Sequence, residues 1–332
     1  PPPPPPFSSR RRHTRLLTQS RGLGDVYKRQ LLAATEMVDF CDSPVLTALK
    51  IAGQNDAQLS ILHVLESDTT KDRRFLKHFR TGEEIVTSTE YEETVKKEIH
   101  KSCAGVLGSD VHYTIKVTPG FPWEEILRLA RKERTDLIVL GPHTGLVNEL
   151  GVVRVSGKIG STVQGVIKHE RCPVMVVNRS IPAEKLKFKN ILVGTDFSES
   201  CKNALLFGIK LAQKHDSKIF IFHMVPVPPC PQYSQADYDK DINRLKQKLD
   251  EFCRVIPAEI ELDFNVWGGA LHHLEILKCA GEKDADLIVM GSHTKEKSGK
   301  WYVGSAGERV SYRSVCPVVV VTDPIVLLTM DD

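Results

Sequence analysis

In the C-terminal half of the chain, short apolar runs rich in Ile and Val alternate with longer stretches whose apolar residues recur every three or four positions. The short runs, bounded by glycine, proline or charge, predict strands, and the helical period of the longer stretches predicts amphipathic helices. Strands are predicted near 191–194, 218–225, 259–266, 287–290 and 318–321, and helices near 199–214, 236–253, 271–283 and 306–313. Runs that are apolar on both faces, in strict alternation with helices, predict a parallel sheet covered on each side. Ser198 has the position of an N-cap for the first helix, and Ser305 with Glu308 three residues on has the pattern of a capping box.

The pattern occurs twice. "NILVGTDFSESCKNALLFGIKLA" (190–212) aligns without a gap on "QLLAATEMVDFCDSPVLTALKIA" (30–52), and the same offset of 160 carries His63 onto His223. "DLIVLGPHT" (136–144) recurs as "DLIVMGSHT" (286–294), and "CPVMVV" (172–177) as "CPVVVV" (316–321), at offsets of 150 and 144. A unit of about 140–150 residues is the size of a domain, not of a solenoid repeat. The chain is therefore expected to be α/β, with two tandem doubly wound five-stranded parallel-sheet domains over 31–179 and 189–323. A linker over 180–188, expected to be an exposed connector, joins them, and 324–332 forms a tail. Each unit ends in an apolar strand that would leave a sticky sheet edge in water, which predicts intramolecular pairing of the two last strands, with a homo-oligomer as another way to cover them.

Composition changes this picture little, with one exception. Of 332 residues, 41% are hydrophobic and 26% charged, ordinary values for two globular cores. The formal charge of +3 arises in residues 1–30, which hold seven Lys or Arg and one acid; the remainder has 38 basic and 41 acidic residues, a net of −3. That segment reads as a translated sequencing-adapter artefact, non-native or disordered, and it is set aside. The folded part then has no basic excess, so no nucleic-acid partner is expected. No apolar run reaches membrane-spanning length, so no membrane partner is expected and the predicted location is cytoplasmic. The eight cysteines include no C-x-x-C pair and read as reduced structural thiols.

In doubly wound sheets ligands bind beyond the carboxyl ends of the strands, where the strand order reverses. The loops after the first and fourth strands meet there: "GTDFSE" (194–199) and the stretch from Gly291 to Ala306. Gly291 can leave its strand with dihedrals closed to other residues. Gly304 and Ser305 stand at a helix N-terminus, where unpaired N–H groups and the helix dipole favour an anion. His293, Lys295, Lys297 and Lys300 add donors and positive charge. The same residues also suit structure alone, with Ser305 and Glu308 as a cap, His293 bonding nearby backbone and the lysines solvated. No Walker motif, nucleophile elbow or carboxylate pair is present, so no catalytic residue is assigned and the chain is expected to be a binding protein before it is an enzyme.

The motifs together resemble the universal stress protein family, whose nucleotide-binding members carry G-x-x-G, nine residues and G-[ST] after the fourth strand. Gly291-Ser292-His293-Thr294, nine residues and Gly304-Ser305 keep that spacing, with threonine in place of the second glycine. The resemblance runs from residue 31 to about 323. It implies a cytoplasmic stress-response sensor or protective protein that binds ATP or AMP, mainly in the second unit. It also implies that Thr195 and Asp196 lie near the ribose and phosphates, with Mg held by nucleotide and Asp196, that Met224 packs on adenine, and that Ser292, Thr294 and Ala306 complete the phosphate loop. In the first unit the corresponding residues are Thr35, Glu36, Val64, Gly141, His143, Gly160, Ser161 and Thr162. Glu36 replaces the aspartate, Pro142 stiffens the loop, and fifteen residues instead of nine separate Thr144 from Gly160, so a weaker site is expected. A nucleotide-free interaction protein and a weak Mg-dependent ATPase are the alternative functions.

Overall fold

The computed structural model describes residues 30–35, 43–66, 75–77, 84–86, 88–104, 111–142, 159–179, 181, 185–226, 234–295, 300–302 and 304–322; for a few of these, including 293–295, 300–302 and 305, it describes the backbone alone. The first half contains β1 (Gln30–Thr35), α1 (Ser43–Asn55), β2 (Gln58–Glu66), the short strands β3 (Phe75–Lys77) and β4 (Glu84–Val86), and α2 (Thr89–Ala104). It continues with β5 (Tyr113–Gly120), α3 (Pro122–Glu133), β6 (Leu137–Leu140), α4 (Ser161–His169) and β7 (Val174–Val176). The second half repeats the plan with β8 (Asn190–Gly194), α5 (Glu199–His215), β9 (Lys218–Pro226), α6 (Gln235–Phe252), β10 (Leu262–Gly269) and α7 (His272–Glu282). After β11 (Leu287–Gly291) comes a hairpin of β12 (His293–Lys295) and β13 (Lys300–Tyr302), then α8 (Ser305–Arg313) and β14 (Val318–Val321).

Ten of these strands form one sheet in the order β10-β9-β8-β11-β14-β7-β6-β1-β2-β5. Each half is a parallel five-stranded sheet in which the strand order reverses between its first and fourth strands, β1 with β6 and β8 with β11. Consecutive residues such as Leu192 and Val193 are both fully buried, as they must be in a sheet covered by helices on both faces. The aspartate that opens each D-L-I-V strand ties it to its neighbour: Asp136 Oδ2 accepts from the Gln30 amide at 2.8 Å, and Asp286 Oδ2 from the Asn190 amide at 3.1 Å.

β7 and β14 pair antiparallel, with Val318 opposite Val176, Met175 opposite Val319 and Val174 opposite Val320. At the offset of 144, Met175 and Val319 are equivalent residues, so the pairing is self-complementary about them. Other bonds obey the same symmetry. Asn178 Nδ2 donates to the Ser314 carbonyl at 2.9 Å, and the equivalent Thr322 hydroxyl donates to the Glu170 carbonyl at 3.2 Å. Gln164 Nε2 donates to Oε1 of its own equivalent, Glu308, at 3.1 Å.

Several expectations are corrected. β10 begins at Leu262, because Pro257 opens a turn closed by the Ile260 amide on the Pro257 carbonyl at 3.1 Å. The loop after β11, for which no strand was predicted, contains a hairpin with His293 opposite Tyr302. The linker is not an exposed connector: Ile181, Leu186 and Phe188 are buried in the larger apolar cluster, and the Ile181 carbonyl accepts from Lys50 Nζ at 2.8 Å. Three apolar side chains among the charges give the segment a buried face.

Candidate functional site

The site lies where β8 and β11 leave the sheet side by side, with Val193 opposite Val289. After β8, Thr195 is buried and its Oγ1 accepts from the Phe197 amide at 2.9 Å, while Asp196 Oδ1 accepts from the Ser198 amide at 2.9 Å. These two side-chain turns hold Phe197 at a φ of 68°, in the left-handed region that a bulky residue rarely occupies. The Phe197 ring is anchored against His223 at 4.6 Å between centroids and edge-on to Phe252 at 5.7 Å. His223 in turn donates from Nδ1 to the Thr195 carbonyl at 2.8 Å, and burial holds its pKa below the ordinary value. The neutral ring thus buttresses the loop as a donor.

Ser198 caps α5, accepting from the Cys201 amide at 3.4 Å, as its position in the sequence predicts. Cys201 is buried and its thiol donates to Asp196 Oδ1 at 3.1 Å. Burial first, and the neighbouring carboxylate second, push that thiol up to about 11, so it stays protonated as a donor and is a poor nucleophile. The Asp196 side chain itself is exposed to solvent.

Gly291 is required for space rather than for dihedral freedom. A Cβ there would stand 2.4 Å from the carbonyl carbon of Ser200 and 2.7 Å from the Cys201 amide nitrogen, so the first turn of α5 lies directly on the end of β11. Its φ is not positive, which corrects the expectation of unusual dihedrals. The next residue, Ser292, is fully buried; its amide donates to the Val321 carbonyl at 2.9 Å, but its hydroxyl makes no hydrogen bond. A buried hydroxyl left in that state costs about 1–3 kcal/mol.

The helix that follows the loop begins differently from the predicted capping box. The N-cap of α8 is Gly304, at φ −61° and ψ 156°, with no side-chain cap, and Ser305 is the first helical residue. Glu308 then stands one position too far along to reach back to the cap. Its amide donates to the Gly304 carbonyl at 2.9 Å and its carboxylate turns to Gln164. The first half repeats the arrangement: Gly160 is the uncapped N-cap of α4 at φ −64° and ψ 159°, so Gln164 caps nothing either. Glycine at both positions gives the first amides of the helix no side-chain cap from the N-cap residue.

Met224 is buried within an apolar cluster with Phe222, Met290 and Ile276, against which Trp267 and Ala306 pack. Trp267 lies opposite Met224 in the β9–β10 register and donates from Nε1 to Glu275 Oε2 at 2.8 Å. Neither Trp267 nor Phe197 stood out in the sequence, although the tryptophan's place near the carboxyl end of a predicted strand was a usable signal. In the first half Thr35 is buried, Val64, Gly141, Gly160 and Thr162 are half-buried and Ser161 is exposed. Glu36 and His143 lie outside the described residues, as do the side chains of His293, Thr294 and Ser305. Among the described residues no group of three or more His, Cys, Asp or Glu could hold a metal ion. No described helix is long and apolar enough to cross a membrane.

Two doubly wound α/β units in tandem, each with a helix starting on an uncapped glycine after its fourth strand, define the class. The model of the universal stress protein family matches residues 28–178 and again 187–322, and the chain belongs to that family. A universal stress protein of Methanocaldococcus jannaschii is 28% identical over 158 residues, covering 45% of this chain and 91% of its own. One of Thermus aquaticus is 29% identical over 140 residues, covering 40% of this chain and 98% of its own. A crystal structure of a universal stress protein from Archaeoglobus fulgidus shares the fold across both halves, with a TM-score of 0.57 at 19% identity over 88% of this chain and 98% of that one.

Proposed function

We propose that this tandem universal stress protein binds ATP or AMP, mainly in its second half, and acts in the cytoplasm as a stress-responsive sensor or protective protein. The observation that carries the reading is the switch point between β8 and β11. There a fully buried, unbonded Ser292 hydroxyl follows the strand, and the same loop ends on the uncapped N-terminus of α8. Backbone amides at Ser305 and Ala306, with the Ser292 and Ser305 hydroxyls, would receive the phosphates, and His293, Thr294 and the loop lysines would line them. Asp196 is a single carboxylate, which suits Mg that takes most of its remaining ligands from phosphate and water. Thr195 and Asp196 would border the ribose, and Met224 with Trp267 would form the apolar wall for adenine. The units 31–179 and 189–323 are read as the two binding domains, the first as the weaker.

Calorimetry with Mg-ATP tests this on the full chain. Valine adopts the φ and ψ of Gly304 without strain, so Gly304→Val fills the space before the first amides while the helix is kept. It should weaken binding at least about tenfold, the fold-change of a lost interaction of 1.4 kcal/mol. Unchanged affinity would place the site elsewhere, and no heat from the unaltered chain would favour the nucleotide-free interaction protein.

A further inference from the structure

The phosphate loop of the second half does not stand alone. Its hairpin strand β13 lies against α4, a helix of the first half, and α8, on which the loop ends, is tied to the same helix by Gln164 Nε2 donating to Glu308 Oε1 at 3.1 Å. Both groups are half-buried, so the bond is shielded from competing water. Below it the join is continuous, because Val320 and Tyr312 of the second half pack into the apolar cluster formed by α3, α4 and β6 of the first.

We infer that α4 is a positioning element for the second half's nucleotide loop and that Gln164 is the positioning residue, setting the start of α8 through Glu308; this rests on the proposed nucleotide site. The physical reason is the uncapped glycine. A helix whose N-terminus lacks a side-chain cap has no local device to fix where its amides point, and here the fourth helical residue is held from outside. Because Gln164 and Glu308 are equivalent residues, the same bond also holds the start of α4. The two switch points therefore share one link, and a ligand that orders one helix start biases the other. Coupling of this kind is worth roughly 5–150-fold in affinity where it has been quantified in other proteins.

The test uses the full chain. Gln164→Glu sets two carboxylates against each other, Gln164→Met removes the bond without adding charge, and Gln164→Glu with Glu308→Gln restores an amide–carboxylate pair with the partners exchanged. Hydrogen–deuterium exchange without nucleotide should be several-fold faster across 293–302 in both single variants and return to the original rate in the exchanged pair. Mg-ATP binding should weaken about tenfold in Gln164→Glu and recover in the pair. Unchanged exchange in both single variants, or an exchanged pair as impaired as Gln164→Glu, would overturn the inference. Should the unaltered chain bind no Mg-ATP, the nucleotide reading falls, and the exchange rates alone decide whether α4 positions the loop.

Discussion

β1 and β8 leave the sheet at equivalent threonines, and in both halves a histidine from the neighbouring strand donates to the threonine carbonyl, His63 to Thr35 at 2.9 Å and His223 to Thr195 at 2.8 Å. Likewise α4 and α8 both begin on an uncapped glycine. The halves differ in what surrounds these shared parts. In the second half nine residues join Thr294 to Gly304 and contain a hairpin strand resting on α4, whereas fifteen join Thr144 to Gly160 in the first. The two halves share the backbone scaffold of the candidate site, while loop length and side chains make the copies unequal.

The largest effect should come from the join that both halves share. Met175 and Val319 face each other at the centre of the ten-stranded sheet, and a carboxylate at either position would be buried without a partner. Met175→Asp and Val319→Asp should each cost about 4 kcal/mol in urea unfolding. A marked inequality between them would break the symmetry inferred from the strand register. Next comes Gly291→Ala, which forces a Cβ onto the α5 backbone and should cost about 3 kcal/mol by the same measurement. An equal loss in Gly141→Ala would extend that packing to the first half, and no loss at Gly141 would sharpen the contrast.

The smallest effect concerns the paired histidines. Burial lowers the pKa of both His63 and His223 below the ordinary 6.5. The unfolded chain therefore takes up protons in a range where the folded chain does not, and stability falls as the pH drops through about 6.5 and below. His63→Gln should flatten this acid limb in melting temperatures recorded from pH 7 to 5, and His223→Gln should flatten it less, because His63 is 5% exposed and His223 half-buried. A steeper acid limb in His63→Gln would contradict the assignment of a neutral, buried donor.

The strands were legible because a buried parallel strand must be apolar on both faces; β14 begins and ends where the sequence places it. The Ser198 cap was legible because the bond is local. The predicted box at Ser305 failed because the N-cap is Gly304 and the helix begins at Ser305, which puts Glu308 one position beyond the box. The hairpin in the loop after β11 was missed because three-residue strands are too short to show a period. Gly291, Gly304 and Ser305 were singled out by glycine and serine at a strand exit and a helix start, and Thr195, Asp196, Ser292 and Ala306 by the resemblance, yet the reason for Gly291 was not legible, since the atoms that exclude a side chain belong to Ser200 and Cys201, about ninety residues earlier.

By itself the sequence determined the fold class and the duplication, because both are written in local periodicity and in literal repeats that need no knowledge of distant contacts. It also determined which loops carry the candidate chemistry, since glycine and serine at a strand exit constrain the backbone wherever they occur. Pairing of the two last strands was an expectation from their apolar edges, but tertiary structure alone decided its register, antiparallel and centred on Met175 and Val319. It also decided that Gln164 meets Glu308, because residues 144 apart interact only after both units have folded and the self-complementary edge brings equivalent positions together.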